Sequence, residues 1–144
     1  MIKLSKKTKY AILAMQLMAS NGEQMFSAKE VAEKFHLSFV FISKILQSLK
    51  VGGLINSQKG VKGGYEMICD PNHTTVADII AAMEEKKALV DCFDSKEDIC
   101  LRYEECTLRG SMEILQKEIE NVFGSMTLAD LAKNMLNKNT VKYA

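Results

Sequence analysis

The 144-residue sequence predicts a mostly α-helical fold with one small β-hairpin. Capping sequences precede several segments in which apolar residues recur at helical spacing. A basic, glycine-rich tip, Lys59-Gly-Val-Lys-Gly-Gly64, lies between two stretches with strand character. Farther along the chain, apolar residues follow a heptad spacing. These three observations predict a winged helix-turn-helix domain followed by a long dimerisation helix.

Three helices are predicted in the first part of the chain. The first spans residues 5–20 and ends at Asn21-Gly22. The second begins at the capping box Ser27-Ala-Lys-Glu30, and after a short turn Ser38 caps the third, which runs to about Val51. Two helices joined by so short a turn, the second of them amphipathic, match a helix-turn-helix. The buried stripe expected along the third helix is Phe39, Ile42, Leu46 and Leu49.

A β-hairpin is predicted next, with strands at residues 54–58 and 65–69. Its slim basic tip has the form that a DNA-binding wing requires. The sequence Thr75-Val-Ala-Asp78 is a further capping box and opens a helix that is expected to reach about Glu85.

A long helix is predicted near the C-terminal end from an apolar seam, here called the heptad seam. Its members are spaced alternately four and three residues apart, which favours a partner helix. That partner is a second copy of the chain or, for part of the seam, the first helix of the same chain. Thr127-Leu-Ala-Asp130 then caps a short helix to about Leu136. The heptad seam comprises Leu108, Met112, Leu115, Ile119, Val122 and Met126.

The sequence therefore divides into three regions. Residues 1–72 form the winged helix-turn-helix DNA-binding region. Residues 73–107 contain a connecting helix and, at roughly residues 88–106, a cysteine segment with a sensory role. Residues 108–144 contain the dimerisation helix and the short C-terminal helix.

Charge is unevenly distributed, although the net charge is only +1. Residues 1–66 contain ten lysines and four glutamates, whereas residues 67–144 contain nine basic and fourteen acidic residues. A basic front half favours a nucleic-acid face, although two solvated surfaces of opposite sign would give the same pattern. No apolar run approaches the roughly 18 residues of a membrane span. The N-terminal segment does not read as a signal peptide, so a cytoplasmic protein is expected.

The outward face of the third helix and the hairpin tip supply the candidate DNA-reading residues. Lys44 can reach a guanine edge or a phosphate, and Val40 can touch a thymine methyl group. Lysines at the start of the first helix, Lys6, Lys7 and Lys9, can contact phosphates. Each lysine alone is more often an ordinary solvated side chain, but the helix-turn-helix and basic wing together predict binding to double-stranded DNA. The full set is Ser38, Val40, Ser43, Lys44, Gln47, Lys59, Gly60 and Lys62.

Three of the four cysteines, Cys92, Cys100 and Cys106, have the spacing C-x7-C-x5-C. Thiolates are soft ligands suited to iron–sulfur clusters, zinc and copper(I), and the C-x2-C pairs of a zinc ribbon do not occur. In a cytoplasmic protein, an iron–sulfur cluster with two or four irons is the favoured cofactor. Thiol switching without metal is one alternative, and burial as small apolar side chains is another. Cys69, at the end of a strand, is expected to be a core residue.

Longer stretches of the sequence resemble the family of bacterial winged-helix regulators that includes IscR, NsrR and CymR. The resemblance covers essentially the whole chain. It implies a homodimer in which the two long helices cross, and a pseudo-palindromic operator with one recognition helix in each half-site. It also implies that Cys92, Cys100 and Cys106 are the cluster ligands. The stretches are Leu4–Ala11, Ala28–Phe35, Leu49–Ile55, the wing K-G-V-K-G-G-Y at Lys59–Tyr65, Val76–Glu84 and Thr127–Leu131.

The sequence departs from this family at the fourth cluster ligand and on the reading face. The position of the IscR histidine ligand is Arg109, and the position of the acidic ligand of NsrR-like members is Lys9. An acidic residue with which IscR reads a base is replaced by Ser43, so the operator preference of IscR does not carry over. Weak local candidates for the fourth ligand are Glu104 and Glu105, with Asp91, Asp94 and Asp98 beside them.

The sequence thus predicts a homodimeric DNA-binding transcription regulator that senses iron–sulfur cluster, redox or nitrosative status through the cysteine segment. The alternative is a cluster-free winged-helix regulator that is controlled by thiol oxidation or by a protein partner, as the resemblance to CymR implies. Enzymatic activity is not expected, because the sequence has no GxGxxG, P-loop, nucleophile-elbow or zinc-protease motif.

Overall fold

A computed structural model describes residues 3–83, 88–94 and 100–136 of the chain. Helices dominate, and a single two-stranded antiparallel sheet lies among these residues. The predicted mostly helical fold with a small hairpin is confirmed. The elements are α1 (Lys6–Ser20), α2 (Ala28–Phe35), α3 (Phe39–Val51), β1 (Ile55–Gln58), β2 (Gly64–Met67), α4 (Val76–Met83), α5 (Asp91–Asp94), α6 (Arg109–Gly124) and α7 (Leu128–Leu136).

The first three helices begin where their capping residues stand. The Oγ atoms of Ser5, Ser27 and Ser38 each accept a hydrogen bond from the backbone N–H three residues later. At the start of α2 the box is reciprocal, since a carboxylate oxygen of Glu30 accepts from the Ser27 N–H at 2.6 Å. His36 ends α2 in the left-handed conformation, with φ of 54°. These local bonds explain why the predicted starts of α1, α2 and α3 are correct.

One hydrophobic core joins the N-terminal helices to two later ones. Buried residues of α1, α2 and α3 belong to the same cluster as Ile79 and Met83 of α4 and Leu128 of α7. The side chain of Gln16 on α1 donates a hydrogen bond to the Leu131 carbonyl of α7 at 2.7 Å. The C-terminal helix therefore packs on the N-terminal helices and helps to hold α1 in place.

The two strands pair in register from Ile55 opposite Met67 to Gln58 opposite Gly64. Phe26, just before α2, adds a bridge to this sheet, since it exchanges two backbone hydrogen bonds with Tyr65 at 2.8 and 2.9 Å. A Cβ atom on Gly64 would stand 2.8 Å from the carbonyl oxygen of Phe26, so this bridge requires glycine. The hairpin is thereby fixed to the helix-turn-helix.

The starts of α4 and α7 lie side by side. Thr75 and Thr127 form an antiparallel bridge. The hydroxyl oxygen of each threonine accepts a hydrogen bond from the backbone N–H three residues later. The carboxylate of that later residue, Asp78 or Asp130, accepts one from the threonine N–H in return. Both predicted capping boxes are therefore present. Within the described ranges, which omit residues 84–87, α4 ends at Met83, so the end predicted at about Glu85 lies outside them.

The predicted buried stripe of α3 is wrong at its first residue. Phe39 is 58% exposed, whereas Ile42, Leu46 and Leu49 are buried as expected and Ile45 joins them. Phe41 is instead the half-buried residue that packs against the core at this end of the helix, where its ring lies edge-on to Tyr10 with centroids 6.0 Å apart. Phe39 is therefore left on the surface of the first turn.

Helix α6, the predicted dimerisation helix, is shorter than the heptad seam predicted for it. Ser125 ends α6, so Met126 lies two residues beyond the helix, where its carbonyl oxygen accepts a hydrogen bond from the Val76 N–H at 3.0 Å. None of the sixteen residues of α6 is buried, and the helix packs against α4 rather than being enclosed. In the described ranges, no helix has the length and apolar character to cross a bilayer.

Candidate DNA-binding surface and cysteine segment

The outward face of α3 presents a mixed surface. Val40 is 62% exposed, and Lys44 and Gln47 are also exposed. Ser43 is half-buried, and its hydroxyl oxygen is covered and has no hydrogen-bond partner in the described structure. Ser38 already uses its hydroxyl to cap the helix, with the Phe41 N–H donating at 3.2 Å. Of the predicted reading residues on this helix, Val40, Lys44 and Gln47 are therefore best placed to touch a base or a phosphate.

The end of α3 is tied to the hairpin. The ammonium group of Lys50 donates a hydrogen bond to the Ser57 hydroxyl on β1 at 2.7 Å. Across the sheet, the Gln58 amide donates to a carboxylate oxygen of Glu66 at 2.9 Å. The Lys50–Ser57 bond sets the position of the hairpin relative to α3, so the two can present a common surface.

The tip of the hairpin is exposed and shaped by glycine. Lys59, Gly60 and Lys62 are all exposed, and Gly60 has φ of 117°, a conformation that side chains rarely adopt. The Gly63 N–H donates to the Gly60 carbonyl at 3.0 Å, and a Cβ atom on Gly63 would overlap the carbonyl oxygen of Gln58. The sequence needs glycine here to turn back within a narrow tip, and the lysines consequently project from a slim structure.

The predicted phosphate-contacting lysines of α1 differ in exposure. The ammonium group of Lys6 stands 5.7 Å from the centroid of the Phe41 ring, so it lies beside the first turn of α3. Lys9 lies over its neighbour Tyr10 at 5.0 Å from the ring centroid. Both are exposed, whereas Lys7 is half-buried. Lys6 thus adds a positive charge next to the N-terminal end of the recognition helix.

All four cysteines are free thiols. Cys92 is half-buried in the short helix α5, and Cys100 and Cys106 are exposed. Cys69 is half-buried and packs against the hydrophobic core, as expected for a core residue. In the part of the chain that the structure describes, no three His, Cys, Asp or Glu side chains are gathered as a metal site.

Arg109, the first residue of α6, contacts two neighbouring side chains and is not available as a ligand. Its guanidinium group stacks over the Tyr103 ring, 4.0 Å from the centroid, and its Nε atom lies 3.2 Å from a carboxylate oxygen of Glu113. That Nε atom is buried, and the Glu113 approach is an ion pair without hydrogen-bond geometry. Glu104 and Glu105 are exposed, the side chains of Asp91 and Asp94 are not described, and Asp98 lies outside the described residues.

The cysteine segment is attached to α6 on both sides. Before Cys92, the Leu89 N–H donates a hydrogen bond to the side-chain oxygen of Gln116 at 2.8 Å. After Cys100, Tyr103 lies under Arg109. Sequence analysis did not single out Gln116 or Tyr103, because each acts through a contact with a residue distant from it or on another element.

The heptad seam lies on the surface of the single chain. Leu115 is 48% exposed and Val122 is 66% exposed, while Met112 and Ile119 are half-buried. Ile114, which is not a seam residue, is 64% exposed and widens the apolar face. A large exposed apolar helix face of this kind is typical of a protein–protein contact.

Comparison with known proteins agrees with this geometry. Residues 4–134 match the Rrf2 family, described as iron-dependent transcriptional regulators. NsrR of Shouchella clausii, a helix-turn-helix-type transcriptional regulator, is 25% identical over 92% of this chain and 90% of its own length. The structure of CymR, the global cysteine regulator of B. subtilis, has a TM-score of 0.72 at 29% identity, over 92% of this chain and 98% of CymR. T. potens IscR has a TM-score of 0.73 at 28% identity, over 99% of this chain and 94% of that chain. The chain therefore belongs to the Rrf2 family of transcriptional regulators.

Proposed function

We propose that the chain is a homodimeric regulator that binds a pseudo-palindromic DNA operator and whose cysteine segment holds an iron–sulfur cluster. The observation that carries the proposal is the shared surface of α3 and the hairpin. On it, Lys44 and Gln47 are exposed on the recognition helix, and the hairpin tip presents Lys59 and Lys62. A recognition helix in the major groove with a basic wing in the adjacent minor groove is a common mode of DNA binding.

Dimerisation is supported by the exposed heptad seam on α6. Burying Leu115, Val122 and the neighbouring Ile114 against a second copy would remove apolar surface that one chain leaves in water. A dimer also places two recognition helices on one duplex, about one helical turn (~34 Å) apart. The angle between the two α6 helices would then determine the spacing of the reading faces.

The cysteine segment fits a cluster by the chemistry of its donors. Cys92, Cys100 and Cys106 are three free thiols, two of them exposed, and thiolates are the ligands that iron–sulfur clusters prefer. The cluster would supply a redox-sensitive centre that is lost when iron is scarce or oxidant is present. Arg109 is engaged with Tyr103 and Glu113, so the fourth ligand has to come from another group.

The contacts of the segment with α6 offer a route from the cysteines to DNA. Leu89 is bonded to Gln116, and Tyr103 is stacked under Arg109, so rearranging the cysteine segment acts on α6 at two points. If α6 joins the two subunits, such a rearrangement alters the relation of the two recognition helices. The change in DNA affinity is limited by how differently the two arrangements bind the cluster.

The test uses the full-length protein purified without oxygen. Iron, sulfide and visible absorbance are measured first, and binding to an operator selected from random duplexes is then compared for iron-loaded and iron-free protein. We expect a chromophore, stoichiometric iron and sulfide, and a difference in operator affinity. Selective DNA binding by a dimer that holds no iron under any reconstitution would instead indicate the cluster-free regulator, controlled by the exposed thiols or by a protein partner.

A further inference from the structure

Two large apolar side chains lie exposed at the start of the recognition helix. Phe39 is 58% exposed and Val40 is 62% exposed. As the first two residues of α3, they cover adjacent parts of its first turn, whereas Lys44 and Gln47, one and two turns farther along the face of Val40, are polar. The reading face therefore has an apolar end and a polar end.

The fold does not need this apolar end. The half-buried Phe41 packs against the core at this end of the helix; its ring lies edge-on to Tyr10, and Tyr10 also contacts Phe35, with centroids 6.3 Å apart. Ser38 caps the helix through the Phe41 N–H, so the outward direction of Phe39 follows from the helix start and not from a local distortion. Two large apolar side chains exposed side by side form a patch, and such a patch points to a contact outside the chain.

The position of this patch identifies the chemistry of the contact. In helix-turn-helix proteins, the N-terminal residues of the second helix are the ones that reach base edges in the major groove. The apolar group that bases present there is the thymine methyl. A positive charge that suits DNA lies at the same end of the helix, since the Lys6 ammonium group stands 5.7 Å from the ring of Phe41 in the first turn.

We propose that Phe39 and Val40 together read thymine methyl groups and so make thymine the preferred base at one or two positions in each half-site. The inference rests on the proposed DNA-binding function and adds a specificity-determining residue, Phe39, to it. Lys44 and Gln47 would form hydrogen bonds with bases or phosphates at the neighbouring positions of the half-site.

The experiment removes the methyl group from DNA and the apolar side chain from protein separately. An operator is selected from random duplexes with the wild-type protein, and each thymine is then replaced in turn by deoxyuridine, which lacks only the methyl group. For each contacted methyl we expect wild type to lose about fourfold in affinity, corresponding to the burial of one methyl group. Phe39→Ala or Val40→Ala should bind the thymine operator more weakly and should show no further loss at the same positions.

Val51→Ala is the matched control. Val51 lies on the same helix and is 80% exposed, but it is at the opposite end, so its replacement should leave the deoxyuridine sensitivity unchanged. Phe39→Leu keeps an apolar contact and should retain part of the sensitivity. Thermal unfolding of each variant shows whether the fold is intact, and Val40→Ala and Phe39→Leu carry the test if Phe39→Ala is unstable.

Three results would overturn the inference. Wild type that binds its operator equally well with every thymine replaced by deoxyuridine has no methyl contact. A sensitivity that persists undiminished in both Phe39→Ala and Val40→Ala assigns the methyl contact to other residues. A change in oligomeric state without a change in deoxyuridine sensitivity assigns the patch to a protein contact. In each case selective operator binding remains, whereas its absence in wild type would refute the proposed function itself.

Discussion

The Leu89 N–H donates a hydrogen bond to the side-chain oxygen of Gln116 at 2.8 Å, which joins the segment before Cys92 to the middle of α6. The amide nitrogen of Gln116 in turn donates to a carboxylate oxygen of Glu120 at 2.7 Å. One side chain therefore connects the candidate sensor to the candidate dimerisation helix.

Replacing Gln116 should weaken the coupling between the cysteines and DNA. Gln116→Leu removes the acceptor for the Leu89 N–H, so the difference in operator affinity between iron-loaded and iron-free protein should shrink severalfold. Glu120→Ala is the control, since it removes only the bond from the Gln116 amide and leaves the Leu89 N–H its acceptor, so most of the difference should be preserved. Fluorescence anisotropy with the selected operator measures both. An undiminished difference in Gln116→Leu would show that the coupling does not pass through this contact.

The three cysteines of the segment should act as a set. Serine at Cys92, Cys100 or Cys106 removes a thiolate ligand, so each single change should abolish the visible chromophore and leave DNA affinity at its iron-free value. Cys69→Ser should keep the chromophore and lower stability by about 1 kcal/mol, because its half-buried side chain packs against the core. Anaerobic absorbance and iron content check the series. Equal bleaching by Cys69→Ser and Cys100→Ser would contradict this ligand assignment.

Substitutions on the polar end of the reading face should weaken specific binding. Lys44→Ala and Gln47→Ala should each cost about 1–3 kcal/mol of operator affinity, the typical value of a lost base contact. Lys59→Ala should lower affinity and also reduce the slope of affinity against salt, because a phosphate contact releases counterions. Lys133→Ala, an exposed lysine on α7, is the charge control and should change neither quantity. Unchanged operator binding in all three test variants would mean that the reading face lies elsewhere.

Charges placed in the heptad seam should separate the subunits. Leu115→Glu or Ile119→Glu buries a carboxylate in the dimer contact, and burial of an unpaired charge is strongly unfavourable. Sedimentation should show monomers, and operator affinity should fall at least tenfold because a monomer engages one half-site. Lys133→Glu introduces the same side chain at an exposed position of α7, away from α6, and should leave the dimer intact. A wild-type chain that sediments as a monomer at micromolar concentration would remove the basis of the prediction.

The cap of α7 should make the fold sensitive to acid. The Thr127 side-chain hydroxyl, followed by its backbone N–H, holds the pKa of Asp130 below its ordinary value. A lowered folded-state pKa contributes stability that is present above the unfolded-state pKa and is lost as the pH falls through the folded-state pKa. The stability gap between wild type and Asp130→Ala should therefore be largest near neutral pH and should close below about pH 4.

Thermal unfolding of these two proteins from pH 7 to pH 3 checks the direction. Thr127→Ala should lower stability by about 1 kcal/mol at neutral pH, the usual cost of a lost helix cap. A gap between wild type and Asp130→Ala that stays constant over this range would show that the carboxylate contributes nothing to stability.

Local chemistry in the sequence was sufficient for most of the fold. Capping at Ser5, Ser27 and Ser38 depends on atoms within three residues, so the starts of the first three helices could be predicted without knowledge of their neighbours. The narrow glycine tip at Gly60 and Gly63 has the same local origin. Helical periodicity also placed Ile42, Leu46 and Leu49 correctly in the core.

Contacts between residues far apart in sequence could be established only from the tertiary structure. Periodicity placed Phe39 in the buried stripe, but the ring of Tyr10 on another helix selects Phe41, and Phe39 is left outside. The bridge between Thr75 and Thr127 and the bond between Leu89 and Gln116 join residues far apart in sequence. Spacing alone predicted a ligand role for the three cysteines and a dimer contact for the heptad seam, and both stay predictions. The contacts between helix faces depend on how the helices pack, so they could not be predicted from any single segment of the sequence.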